Sequence, residues 1–341
     1  MRINDFYTLE IEERKTVFLN TSRKLNMSEA IIEKDFWVCW CLKYLFHDFR
    51  YKDFICFKGG TSLSKVYHCI ERFSEDIDLA LDWALLDINK EQAYEDKSNR
   101  QQDFFNKKTN EKTEDYLENI WLPFMREDFS KLLINDFDLY IEDSDPQTIC
   151  FRYPKTFEDA SVLQIIRLEI GALAEPVPSS WNSMQAYIQE AYPYIIEDDV
   201  QVKTVDICRT FFEKITILHR EAYRTNGNYP IRYSRHYYDV YQLIENGTAA
   251  LAIQDLAILK MVVFFKKKFY PCNWAQYELV LQGGCRLIPE ANAIAYFEKD
   301  YMSMSNMIYG EIIPFETIMK KIQEFEDQLN KAVLNQIMMQ G

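Results

Sequence analysis

Asp76 and Asp78 open the stretch DIDLALDW, in which Ile77, Leu79, Leu81 and Trp83 keep the alternate positions apolar. Alternation of period two marks a strand, and in a strand residues i and i+2 share a face. The two carboxylates therefore project together, while Ile77 and Leu79 point into a core. Carboxylates this close repel unless a cation sits between them. A hard divalent ion, Mg²⁺ or in its place Mn²⁺, suits such oxygen donors. Asp82 lies further along the same face, peripheral to the pair. Upstream, FICF reads as a short buried strand and Lys58-Gly59-Gly60-Thr61-Ser62 as a turn leading into a helix. Glycines let backbone approach a phosphate, and a helix start offers free N–H groups and positive dipole. A phosphate-binding turn beside a two-carboxylate metal site is the anatomy of phosphoryl or nucleotidyl transfer. Each feature alone is commonplace; the order strand, Gly-Gly-Thr-Ser turn, helix, Asp-x-Asp strand is far more specific. It is neither a P-loop, which needs GxxxxGK[ST], nor the dinucleotide fingerprint GxGxxG.

FKGGTSLSK followed by RFSEDIDL resembles the AbiEii/AbiGii toxin family within the polymerase-β-like nucleotidyltransferase superfamily. Glu33-Lys34-Asp35-Phe36-Trp37 is similar to that family's N-terminal helix. The resemblance implies an α+β chain, α/β-like in its N-terminal half. It implies a nucleotidyltransferase fold in which a short mixed sheet flanked by helices precedes a helical C-terminal domain contributing to the active site. It further implies a toxin of a toxin–antitoxin or phage-abortive system, with NTP as substrate, an RNA acceptor such as tRNA, and a cognate antitoxin.

The superfamily uses a third carboxylate on a neighbouring strand, and Glu169 in IIRLEIGAL is the best candidate. Arg167 and Glu169 share one face of an otherwise apolar strand; the bland reading is a salt-bridged pair at a sheet edge. Glu175, next to Pro176, is the weaker alternative. FFEKITILHREAYR and YSRHYYDVYQL resemble the family's third and fourth motifs, matching Glu213 and Lys214 in the first and Arg235 and Asp239 in the second. His236 departs from the family pattern, which leaves its role open. Lys214 is a compact cation suited to triphosphate. Asp239 could hold Lys214, orient the acceptor or act as a base. Arg220 reads as a further phosphate contact or as a helix salt bridge. Lys58, beside the turn, and Arg72, before the acidic strand, are placed to neutralise phosphate. Lys65 reads as solvated, and Ser62 as a phosphate donor or a helix cap.

The elements that must position these residues follow from periodicity. Residues 8–24 and 28–48 read as helices, the second starting at Ser28 and apolar nearly all round. Leu63, Val66, Tyr67 and Ile70 give one helical face after the turn. Residues 86–115 read as a polar insertion or solvated helix, and 137–143, 148–153 and 162–172 as strands. An irregular stretch runs to about 200. From 206 the pattern is helical, over 207–225, 234–246, 250–268, 288–303 and 315–337. The expected domains are 1–205 and 206–341. Lys266-Lys267-Lys268 among aromatics reads as the charged end of a packed helix, with an RNA contact as the alternative. Gly283-Gly284 reads as a turn and His68-Cys69 as packing.

Composition bounds the rest. Of 341 residues 48 % are hydrophobic, with only 9 glycines and 10 prolines, which excludes collagen-like and linker-rich chains. Thirty-nine basic against 53 acidic residues give a net charge of −14, unsuited to coating nucleic acid without a confined basic groove. The 8 cysteines form no CxxC pair, so reduced buried thiols rather than zinc are expected. No apolar leader and no apolar run of spanning length stands out, so a cytoplasmic protein without a membrane partner is expected.

The mechanism these residues suggest is Mg²⁺-dependent transfer of NMP from NTP. Gly59, Gly60, Thr61 and Ser62 hold the triphosphate, with Lys58, Arg72, Lys214, Arg220 and Arg235 around it. Asp76, Asp78 and Glu169 hold the metal. The alternatives are an NTP-binding regulatory module without turnover, and nucleotidylation or phosphorylation of a protein.

Overall fold

The computed structural model describes residues 1–74, 76–133, 136–159 and 162–340. They fall into two compact units, residues 1–66 with 74–205, and residues 67–73 with 206–341.

The first unit is built on seven strands: β1 (Ile55–Lys58), β2 (Asp76–Leu81), β3 (Asp138–Glu142), β4 (Asp145–Arg152), β5 (Ile166–Gly171), β6 (Ser179–Met184) and β7 (Val200–Val205). They form one sheet in the order β3-β4-β5-β2-β1-β7-β6. It is mixed: β2–β5 and β1–β7 are parallel, and the other neighbours antiparallel. Its helices are α1 (Ile3–Tyr7), α2 (Ile11–Leu25), α3 (Glu29–Lys43), α4 (Gly59–Lys65), α5 (Lys90–Tyr94), α6 (Asn99–Tyr116), α7 (Leu122–Leu132) and α8 (Tyr187–Ala191).

The apolar girdle of α3 explains its position. Ser28 caps it, accepting from the Ile31 N–H at 3.3 Å. Trp37 and Trp40 then pack edge-on and stacked against Phe151 of β4, and Trp40 against Phe129 of α7 at 4.9 Å between ring centroids. Even the charged Glu33, Lys34 and Asp35 of this helix are buried, because each finds a partner. Glu33 accepts the backbone N–H groups of Thr156 and Phe157, Asp35 accepts that of Tyr187 at 2.6 Å, and Lys34 donates to the Leu163 carbonyl.

Several expectations need correction. Helix α4 begins at Gly59, inside the segment read as a turn, and ends at Lys65; Val66, Tyr67 and Ile70 lie beyond it. His68 adopts a positive φ of 49°, which no helix continues. Residues 86–115 do match their reading as solvated helix, being largely α5 and α6, capped by Asn89 and Ser98. The irregular stretch before 200 contains β6, an edge strand too polar (SSWNSM) to show a hydrophobic pattern. β7 follows it, and its Val200, Val202 and Thr204 do alternate inward.

The second unit comprises α9 (Ile207–Ala222), α10 (Arg235–Glu245), α11 (Thr248–Gln254), α12 (Leu256–Phe269), α13 (Ala291–Ser303) and α14 (Phe315–Gln340). The single helix expected over 250–268 is two, broken at Asp255, whose side chain caps α12. Asp300 of α13 fixes the start of α10 by accepting from Arg232 N–H, Ser234 N–H and the Ser234 hydroxyl. Residues 67–73 are held in this unit by an isolated bridge between Arg72 and Ile308. The Phe73 N–H also donates to the Met307 carbonyl at 2.7 Å. All eight cysteines are unbridged, six of them buried. Among the described residues no single helix is long and apolar enough to cross a membrane.

Candidate active site

Strand register gathers the acidic residues. Lys58 of β1 pairs with Asp78 of β2, Asp78 with Glu169 of β5, and Glu169 with Thr148 of β4. Directly paired residues share a face of the sheet. One row therefore reads Lys58, Asp78, Glu169, Thr148. The next row on that face holds Asp76 against Arg167, and Arg167 against Cys150. Ile77, Leu79, Leu168 and Ile170 point to the opposite side and are buried. Thus Asp76, Asp78 and Glu169, from segments some ninety residues apart, stand on one surface.

Glu169 feels this crowding. Burial, then the charges of Asp78 and Asp76, push its carboxyl up to about 7, with Arg167 opposing. Arg167 is the cation at the centre of the cluster. Its Nη1 lies 2.8 Å from Glu142 Oε2, its Nε 3.6 Å from Glu169 Oε1 and 3.7 Å from Asp76 Oδ1, and its Nη2 4.0 Å from Asp145 Oδ2. Glu142 and Asp145 flank the β3–β4 turn, and sequence reading missed them. The IEDSDPQ turn is acidic, but nothing in it announces which strand it faces.

Helix α4 closes the site on the β1 side. Gly59 has φ 82°, a conformation open to glycine. A Cβ there would overlap the Asp78 carboxylate, so the turn passes directly against the acidic strand. The Thr61 hydroxyl donates to the Asp76 carbonyl at 2.5 Å, and the Ser62 hydroxyl to the Gly59 carbonyl at 2.8 Å. The first ties the turn to β2, and the second braces the turn within itself. Gly60 and Lys58 are half-buried. Asp82 caps the short turn after β2, accepting from the Ala84 N–H. Lys65 corrects its reading as solvated: its Nζ lies 2.8 Å from Asp35 Oδ1, with both side chains only 4 % exposed. It also sits 3.8 Å from the Tyr187 ring centroid.

The donor set is of the kind a hard divalent cation takes, since the carboxylates of Asp76, Asp78 and Glu169 share one face of the sheet. As the side chains stand, no group of three or more His, Cys, Asp or Glu among the described residues is arranged to hold a metal ion. A guanidinium stands among them instead.

In the second unit, the remaining motif residues form a buried cluster. Arg72 grips Asp239 with two hydrogen bonds, Nε to Oδ1 at 2.7 Å and Nη2 to Oδ2 at 2.8 Å. Lys214 Nζ donates to Asp239 Oδ2 at 2.7 Å. Burial pushes the Asp239 carboxyl up, but the charges and hydrogen bonds of Arg72 and Lys214 outweigh it and hold the group well below the usual carboxylate range. His236 is buried beside these cations. Burial first, then the charges of Lys214 and Arg235, hold its imidazole neutral, well below its ordinary value. Arg220 is fixed by Glu221, 3.0 Å away, and by the Tyr233 hydroxyl at 2.6 Å. Arg235 is half-buried at the start of α10.

A family profile described as nucleotidyl transferase AbiEii toxin, type IV toxin–antitoxin system, matches residues 42–329. No curated protein sequence matches the chain. Among solved structures, the chain is similar to MenT4, a nucleotidyltransferase toxin from Mycobacterium tuberculosis H37Rv. The match has a TM-score of 0.44 and 13 % identity, covering 93 % of this chain and 97 % of that one.

Proposed function

This chain belongs to the AbiEii nucleotidyltransferase toxin family of type IV toxin–antitoxin systems, and from that premise we propose that it transfers NMP from NTP to an RNA acceptor, tRNA being the first to test. The observation that carries this reading is the row Lys58, Asp78, Glu169 with Asp76 beside it, set against the Gly59 turn. An acceptor hydroxyl attacks the α-phosphorus, the new P–O bond forms, and pyrophosphate leaves. A Mg²⁺ or Mn²⁺ ion held by Asp76, Asp78 and Glu169 would supply charge neutralisation for the triphosphate and the acceptor oxygen.

The chain's own residues do the positioning. Gly59 and Gly60 present backbone to the triphosphate, with Thr61 and Ser62 fixing the turn. Lys58 supplies a positive charge in register with Asp78. Glu169, paired with Asp78 on the neighbouring strand, would complete the acceptor side of that metal site and aid deprotonation of the acceptor hydroxyl. In the second unit we assign Lys214, Arg220 and Arg235 to phosphate charge, and Asp239, itself gripped by Arg72, to holding Lys214 in place. The toxin's partner is a cognate antitoxin, and its place of action is the cytoplasm, where the acceptor is found.

The test is purified protein with each labelled NTP, Mg²⁺ and total RNA. Label in RNA that disappears in Asp76→Ala and Asp78→Ala supports the reading. Undiminished labelling in both overturns the carboxylate assignment, and label in protein instead of RNA overturns the acceptor.

A further inference from the structure

Arg167 is shared between two pairs of acids on the sheet face. On one side stand Asp76 and Glu169, at 3.7 and 3.6 Å from Nε. On the other stand Glu142, at 2.8 Å from Nη1, and Asp145, at 4.0 Å from Nη2. The shortest contact is thus already to the outer pair. Strand order explains the sharing: β3 and β4 form the edge of the sheet next to β5, so the hairpin end that carries Glu142 and Asp145 lies on the far side of Arg167 from β2. Asp145 is itself steadied by the Thr148 hydroxyl at 2.7 Å, and Thr148 pairs with Glu169.

We propose that Arg167 is a built-in counter-ion, which neutralises Asp76 and Glu169 until a divalent cation binds there and is then carried onto Glu142 and Asp145. The inference rests on the metal-binding reading of Asp76, Asp78 and Glu169 given above. A guanidinium and a divalent ion next to the same two carboxylates repel each other, so binding one favours moving the other. The outer pair gives the displaced guanidinium two acceptors, one of which it already touches, so a short swing suffices. Glu142 and Asp145 thereby act on metal affinity without touching the metal.

The test measures Mn²⁺ binding to the full chain, without nucleotide, from the free-Mn²⁺ paramagnetic resonance signal. Wild type is compared with Arg167→Gln, with Glu142→Gln/Asp145→Asn, and with Asp76→Asn/Asp78→Asn. Folding is checked by circular dichroism. Removing the outer pair leaves Arg167 on the site acids and is expected to weaken Mn²⁺ binding by about fivefold or more. Arg167→Gln is expected to tighten it by a similar factor. Unchanged Mn²⁺ affinity in folded Glu142→Gln/Asp145→Asn overturns the proposal. These two side chains are partly exposed at the hairpin end, and with its folding checked that variant decides the matter even if Arg167→Gln does not fold. The underlying site reading fails separately, and this proposal with it, if wild type and Asp76→Asn/Asp78→Asn bind Mn²⁺ alike or not at all.

Discussion

Gly59 and Asp78 occupy each other's space: the Cβ that residue 59 lacks would overlap the Asp78 carboxylate. The turn and the acidic strand are therefore one device, and neither can change without the other. Gly59→Ala combines this overlap with a positive φ, and is expected to cost about 1–3 kcal/mol of stability. Gly60→Ala, with no positive φ, is the milder control. Urea melts of the two variants check the ranking. Transfer activity should fall further in Gly59→Ala than its stability loss accounts for, because Asp78 must move.

Asp76 and Asp78 sit half-buried on a face where acids outnumber cations. Neutralising either one relieves repulsion, so Asp76→Asn and Asp78→Asn should keep or raise the melting temperature. Nucleotide transfer should drop by about a hundredfold or more. A melting temperature that falls with activity would show that the two carboxylates hold the sheet together instead.

Asp239 has both oxygens engaged by Arg72 and Lys214 and no exposure. Asp239→Asn leaves two buried cations short of a counter-charge and is expected to cost about 3–5 kcal/mol. The sign of the pH dependence follows from its depressed folded pKa. The stability it contributes is fully present above the ordinary carboxylate range and is lost as pH falls through and below that range. The gap between wild type and Asp239→Asn, measured by denaturant melts, should be constant from about pH 5 to 7 and narrow steadily towards pH 2.

Lys65 and Asp35 join the end of α4 to α3 through a buried ion pair. Lys65→Met strands the buried Asp35 and should cost about 3–5 kcal/mol, whereas Asp35→Asn leaves Lys65 with Glu190 at 3.5 Å and should cost less. The double variant Asp35→Asn/Lys65→Met should cost clearly less than the sum. A double-mutant cycle by chemical denaturation reads this directly, and additive losses would mean the two charges do not act on each other.

Much of the site was legible in order along the chain. The alternation of DIDLAL put Asp76 and Asp78 on one face, the alternation of IRLEIG put Arg167 beside Glu169, and the resemblance of the Gly-Gly segment named the family. These are local facts, because a strand's period of two is written residue by residue. Val200, Val202 and Thr204 carried the same signal for β7, overlooked beside a strand as polar as β6. Helix α4 was misjudged in extent because the apolar spacing of Val66, Tyr67 and Ile70 continued past its end, while the backbone reversed at His68. Lys65 looked solvated because its partner, Asp35, lies on another helix.

What the sequence by itself determined was which side chains share a strand face. Only the tertiary structure decided which faces meet. That Asp78 stands beside Glu169, that Arg167 reaches Asp76, Glu142 and Asp145 on other strands, and that Asp239 is sealed by Arg72 and Lys214 all depend on register and on contacts between segments far apart in the chain. Periodicity cannot carry that information, because hydrogen bonds between strands and ion pairs between elements form wherever packing brings them together.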